Sequence, residues 1–287
     1  MANWEEQFGI FLIPESYRSQ FPPTPNPAPD VWWQQSTRVD LQTINGTRVG
    51  HALLRAIKFH GVIVSIQKQR PGYCGDDTFP IIDDINTGDP RLRITMGPTI
   101  SYAPEQHELG HSCEKSRYGG FGQFWVEGHE VLLHELVHAF RMVSFKRPAN
   151  QPKTTKGFAS YHDTEELYAV LVQGIYASER KKPIRSSHTG HFPIDKKLDG
   201  SLEFYKTGTE SFDLIKRFCD DNPGFTKAIA CIETHFNPIR AYYFTPTAAK
   251  QMAQSKLAKT RDQFQPAFND AYSWLRLQFR KGGLLNP

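Results

Sequence analysis

The chain has 287 residues, 39% of them hydrophobic and 13% aromatic, which is enough apolar material to bury a core by itself. Its net charge of +4 comes from 34 basic and 30 acidic residues, and the basic ones are spread out rather than gathered into a stripe with interleaved aromatics, which argues against nucleic acid as the main partner. No apolar run approaches the roughly 18 residues of a membrane span, and the acidic start, "MANWEEQFGI", lacks the basic region of a secretory signal.

Residues 20–30, "QFPPTPNPAPD", hold five prolines and no helical pattern, so residues 1–30 are expected to form an extended proline-rich arm. A single domain is expected over 31–287. A helix is expected over about 47–58 with Val49, Leu53, Leu54 and Ile57 on one side, then a strand over 61–67. Asn45-Gly46-Thr47 matches a glycosylation sequon, and an Asn-Gly turn before that helix explains it equally well. Residues 70–90 read as turn-rich loop, and "RLRITMGPTISYAP" as two short strands or a hairpin.

Two long helical patterns follow, about 127–146 and 164–180, closed by Pro148 and Pro183. The stretch "SERKKPIR" is the charged C-terminal end of the second. The part from about 211 to 280 reads as mostly helix, with Asn222-Pro223 a cap followed by proline at the first helical position. The fold class expected is therefore α+β, predominantly helical with a small sheet. Four cysteines, Cys74, Cys113, Cys219 and Cys231, form no CxxC pair, which leaves free thiols and two disulfides both open.

The chemistry concentrates in "EVLLHELVHAF". On a helix, His134 and His138 project one turn apart on the same side, so two imidazoles can reach one ion. Leu132, Leu133, Leu136, Ala139, Phe140 and Val143 fall on the opposite side, which makes one face core and the other the wall of a cleft. HExxH also arises by chance on ordinary surface helices, and what favours a metal is the apolar context. A catalytic zinc takes three protein ligands and keeps a position for water, so a third ligand must come from elsewhere.

The helix opening "YHDTEELYAVLVQGIYAS" offers Glu165 and Glu166 at the entry of an almost wholly apolar run. Each has a plainer reading: Glu166 closes a capping box with Asp163, and Glu165 is a first-turn acid favoured by the helix dipole. Ala169, small and three residues after Glu166, would let this helix approach the histidine helix closely. Arg141, one turn past His138, is placed to pair with an acid on the cleft side.

HExxH followed by a helix "EELYAVLVQGIYAS" resembles the zincin metallopeptidases with a glutamate third ligand. It is similar in particular to anthrax lethal factor and to bacterial effector metallopeptidases delivered by type III and type VI secretion. The resemblance covers about residues 90–195, with a fainter echo at 47–67. It implies a zincin-like domain with the small sheet beside the HExxH helix, one zinc ion on His134, His138 and Glu166, Glu165 outside the ligand set, and a trimmed loop over 146–162. "TISYAP" would be the sheet-edge strand along which a substrate lies.

In such a site Glu135 takes the proton of the metal-bound water and passes it to the leaving amine. Tyr161, His188 and His191 are the candidate donors to the oxyanion, with a polar surface loop the plainer reading of the two histidines. The function expected is a zinc endopeptidase acting on a protein or peptide, a toxin or effector delivered into another cell without a classical signal, with a secretion carrier or immunity protein as further partners. A zinc amidase of cell-wall peptides and a non-catalytic adaptor with a vestigial metal site are the alternatives, and an intact Glu135 speaks against the adaptor.

Overall fold

A computed structural model describes residues 4–13, 28–69, 77–79, 96–107, 126–144, 164–184 and 210–244. Within them the chain is mostly helical around one small mixed sheet, the expected α+β class. The residues up to Ala241 belong to one compact unit and Tyr242 opens a second, of which residues beyond 244 lie outside the described residues.

The N-terminus corrects the expectation of an extended arm over 1–30. Helix α1 (Trp4–Phe8) runs into strand β1 (Ile10–Leu12), joined by Gly9 at φ 69°, a left-handed conformation that suits glycine. Strand β1 pairs in parallel with β2 (Ile63–Lys68), with Val64 N–H donating to Gly9 O at 2.9 Å and Ile13 N–H to Ile66 O at 2.9 Å. The reason is apolar: Trp4, Phe8 and Ile10 are buried, and Phe8 meets His51 edge-on. Residues 14–27, with most of the prolines, lie outside the described residues.

Helix α2 (Ala28–Asn45) buries Trp33, Thr37, Leu41 and Ile44, spaced four, four and three apart, as one stripe. It is tied to the sheet where Trp33 Nε1 donates to Tyr102 O at 2.9 Å and Tyr102 Oη donates to Asp40 Oδ2 at 2.7 Å. A tight turn leads into α3 (Arg48–Phe59). Asn45 Oδ1 lies 2.8 Å from His51 Nδ1 and Thr47 caps α3 by accepting from Gly50 N–H at 3.0 Å, so the Asn-Gly-Thr triplet works as a turn and cap. Val49, Leu53, Leu54 and Ile57 are the buried face, as the spacing predicted.

The sheet order is β1-β2-β4-β3. Strand β4 (Met96–Tyr102) pairs in parallel with β2, and the three-residue β3 (Asp77–Phe79) pairs antiparallel with β4. Of the two short strands or hairpin expected in 91–104, residues 91–95 lie outside the described residues and 96–104 hold one strand, one of whose partners comes from the segment read as loop. The expectation that "TISYAP" forms a sheet edge is corrected by the same pairing: β4 is interior, and among the described residues β1 and β3 are the edges. A 3-10 turn (Pro104–His107) follows β4.

Helix α4 (Gly128–Val143) and helix α5 (Thr164–Glu179) pack together, and α4 also lies against β3 and β4. At the start of α4 the Glu130 side chain reaches back to accept from Glu127 N–H at 3.1 Å. Helix α5 ends as Lys181 turns left-handed at φ 60° and Lys182 N–H reaches Ala177 O at 2.9 Å. Arg180 and Lys182 then pair with Glu127 at 2.8 and 2.9 Å, so the basic end of α5 is bound to the acidic start of α4. A Cβ added at Gly174 would stand 2.9 Å from Phe236, a close approach only glycine permits.

Helices α6 (Glu210–Asp221), α7 (Pro223–Ala230) and α8 (Pro238–Phe244) follow, α7 starting at the predicted Asn222-Pro223. Cys219 and Cys231 are free thiols, and Cys74 and Cys113 lie outside the described residues. No described helix is long and apolar enough to cross a membrane.

Candidate metal centre

Helix α4 carries His134, Glu135 and His138, and all three are buried. The histidine side is therefore not an open cleft wall: the N-terminal end of α5 lies over it, and β3 lies beside Glu135. The Nε2 atoms of both histidines and the carboxylate of Glu135 each have a polar neighbour there.

Three side chains converge there. His134 Nε2 is 3.1 Å from Glu166 Oε2, His138 Nε2 is 3.3 Å from Glu166 Oε1, and the two Nε2 atoms are 3.1 Å apart. Ligands on a tetrahedron about 2.0–2.1 Å from an ion stand about 3.3–3.5 Å from one another, and one ligand atom from each of these three side chains lies within 4.8 Å of the others, so modest side-chain adjustment would seat a single small ion. The group could hold a metal ion, and the donor set of two imidazoles and a carboxylate suits one that prefers nitrogen and oxygen. Burial alone would push the Glu166 carboxyl up, but hydrogen bonds and charge from His134 and His138 outweigh it and hold the group well below the usual carboxylate range. It is thus in the ionised form that binding a cation requires.

Glu165 turns the other way. Arg141 Nε donates to its Oε2 at 3.0 Å and Nη2 to its Oε1 at 2.8 Å, while Nη1 reaches Asp221 Oδ2 at 3.3 Å. The Arg141 guanidinium also lies over the rings of Tyr168 and Phe218, 5.0 and 5.7 Å from their centroids. Adjacent glutamates on a helix point about 100° apart. With Glu165 fixed on Arg141, Glu166 is the one of the two that faces the histidines.

Glu135 is held by a residue that sequence reasoning missed. Thr78 Oγ1 donates to Glu135 Oε2 at 2.6 Å and stands 3.1 Å from Glu135 O. A three-residue strand inside "CGDDTFP" is too short for a period to show, so no sequence signal marked it. Tyr161, His188 and His191 lie outside the described residues, as does Asp163 with the capping box proposed for Glu166.

One further cluster closes the N-terminal end of α4. His129 Nε2 lies 2.8 Å from Glu127 Oε2 and 2.7 Å from Arg180 Nη1, and its Nδ1 lies 3.0 Å from Tyr176 Oη. Burial and the Arg180 charge push this imidazole down to about 4, so at neutral pH it is uncharged, and Nε2 accepts from Arg180.

In comparisons with protein-family models, with curated proteins and with solved structures, nothing matches this chain.

Proposed function

We propose that this chain is a zinc-dependent endopeptidase in which His134, His138 and Glu166 hold the ion and Glu135 is the general base. The observation that carries the reading is the convergence of His134, His138 and Glu166 from two packed helices, with a buried glutamate directly after the first histidine. Zinc bound there would lower the pKa of a coordinated water toward neutrality and polarise a peptide carbonyl. Glu135, next to His134 in the helix and outside the ligand set, would act as the base that takes a proton from the attacking water and returns it to the leaving amine. Arg141, through Glu165, holds the opening turn of α5 so that Glu166 faces the histidines. Tyr161 and His188 are the candidates for donating to the oxyanion.

The resemblance of "EELYAVLVQGIYAS" to the glutamate helix of effector zincins supports a role as a toxin or effector acting on a protein inside another cell. The test compares zinc-loaded wild type with Glu135→Gln on casein and on peptidoglycan. Cleavage of casein by wild type, reduced about 100- to 10,000-fold in the variant, is the expected result. Release of peptide from peptidoglycan alone would replace the endopeptidase reading with an amidase. No turnover of either would contradict a catalytic role.

A further inference from the structure

We infer that Thr78 is the positioning residue for Glu135, fixing the plane of the general base from β3, an edge strand of the sheet; the inference rests on the peptidase reading above. The Thr78 Oγ1 to Glu135 Oε2 distance of 2.6 Å lies in the range of a hydroxyl donating to an ionised carboxylate. A hydroxyl has one proton, and the shorter, charged partner takes it. The same oxygen stands 3.1 Å from Glu135 O, so Thr78 is seated over both the side chain and the backbone of one residue.

The anchor is rigid for two reasons. Thr78 pairs with Ile100 in the β3–β4 ladder, which fixes its backbone on the interior strand. Its branched Cβ restricts χ1, so the hydroxyl direction follows from the strand. A glutamate otherwise has three rotatable bonds with which to turn its carboxylate away from a water. With Oε2 held by Thr78, the carboxylate plane is set and proton transfer is assigned to Oε1. After the proton moves from water to Oε1, Thr78 still donates to Oε2, now the carbonyl-like oxygen of a neutral acid. The base therefore stays aimed while it waits to return the proton to the amine. Thr78 touches neither ion nor substrate in this scheme, and it acts through Glu135.

The experiment uses the full chain loaded with zinc and carrying Thr78→Val, which keeps the shape and removes the hydroxyl, or Thr78→Ser, which keeps the hydroxyl. For Thr78→Val we expect unchanged zinc content, KM within about twofold of wild type and kcat lower by about 10- to 100-fold, the cost of loosening a reacting group by about an ångström. Thr78→Ser should recover most of that loss. Crystal structures of the zinc-loaded proteins give a readout independent of turnover: Glu135 in one rotamer in wild type and in several in Thr78→Val. An unchanged kcat, or a single undisturbed Glu135 rotamer in Thr78→Val, overturns the inference. If wild type binds zinc but cleaves no substrate, the peptidase reading fails alone, and the Glu135 rotamers then decide the role of Thr78.

Discussion

Arg141 grips Glu165 with a two-point fork, at 3.0 and 2.8 Å, where both side chains are only 2% exposed. A charge pair so placed stabilises little in total but is costly to break, because the survivor is left as a buried ion. Arg141→Met or Glu165→Leu alone should lose about 3–5 kcal/mol in urea denaturation. The double variant should recover much of that loss, since Asp221, the remaining partner, can turn to water. Equal or additive losses in the double variant would show that the pair is not coupled.

The docked N-terminus gives a second expectation. Phe8 is 2% exposed, so Phe8→Ala should cost about 3–5 kcal/mol, measured by the same denaturation. A free arm would show no change.

Several of these relationships were readable in the sequence. The helices at 48–59 and 128–143 carry a three-four apolar spacing, the helix at 164–179 is an almost unbroken apolar run, and the HExxH pair follows from the helix alone. The buried stripe Trp33, Thr37, Leu41 and Ile44 is equally periodic, but Thr37 interrupts its apolar pattern and the prolines before it obscure where α2 begins. What could not be read is long-range. The three-residue strands β1 and β3 exist because neighbours pair with them, and no short run of residues encodes which neighbour that is. Whether Glu165 or Glu166 faces the histidines depends on Arg141, which sits 24 residues away from Glu165.

Acid should destabilise the fold through the cluster at the start of α4. His129 titrates near 6.5 when unfolded and near 4 when folded, because burial and Arg180 oppose its charge. Between those values only the unfolded chain binds the proton, so stability falls as pH drops from 6.5 to 4, by up to about 3 kcal/mol. Glu127, held down to about 2 by Lys182 and Arg180 against the effect of its own burial, adds a further loss as pH falls below 4.5. Denaturation at a series of pH values, with chelator present to remove metal effects, should show both limbs. His129→Gln should flatten the upper one, and an unchanged profile would contradict the assignment.

Ala169 is fully buried on α5, the helix that packs against α4. Ala169→Phe should cost about 1–3 kcal/mol by overpacking. Wild type should gain about 2.7 kcal/mol when free zinc exceeds its dissociation constant 100-fold. The Phe variant, with its helices pushed apart, should gain little. Thermal unfolding with chelator and with zinc separates the two effects, and equal zinc gains would place Ala169 away from the helix junction.

Metal content tests the central claim most directly. Wild type, His134→Ala, His138→Ala and Glu166→Ala are each equilibrated with zinc, freed of excess by buffer exchange, and measured by elemental analysis. The account predicts about one zinc per wild-type chain and loss of nearly all of it in each variant. Wild type without zinc, or a Glu166→Ala protein that keeps its zinc, would contradict it.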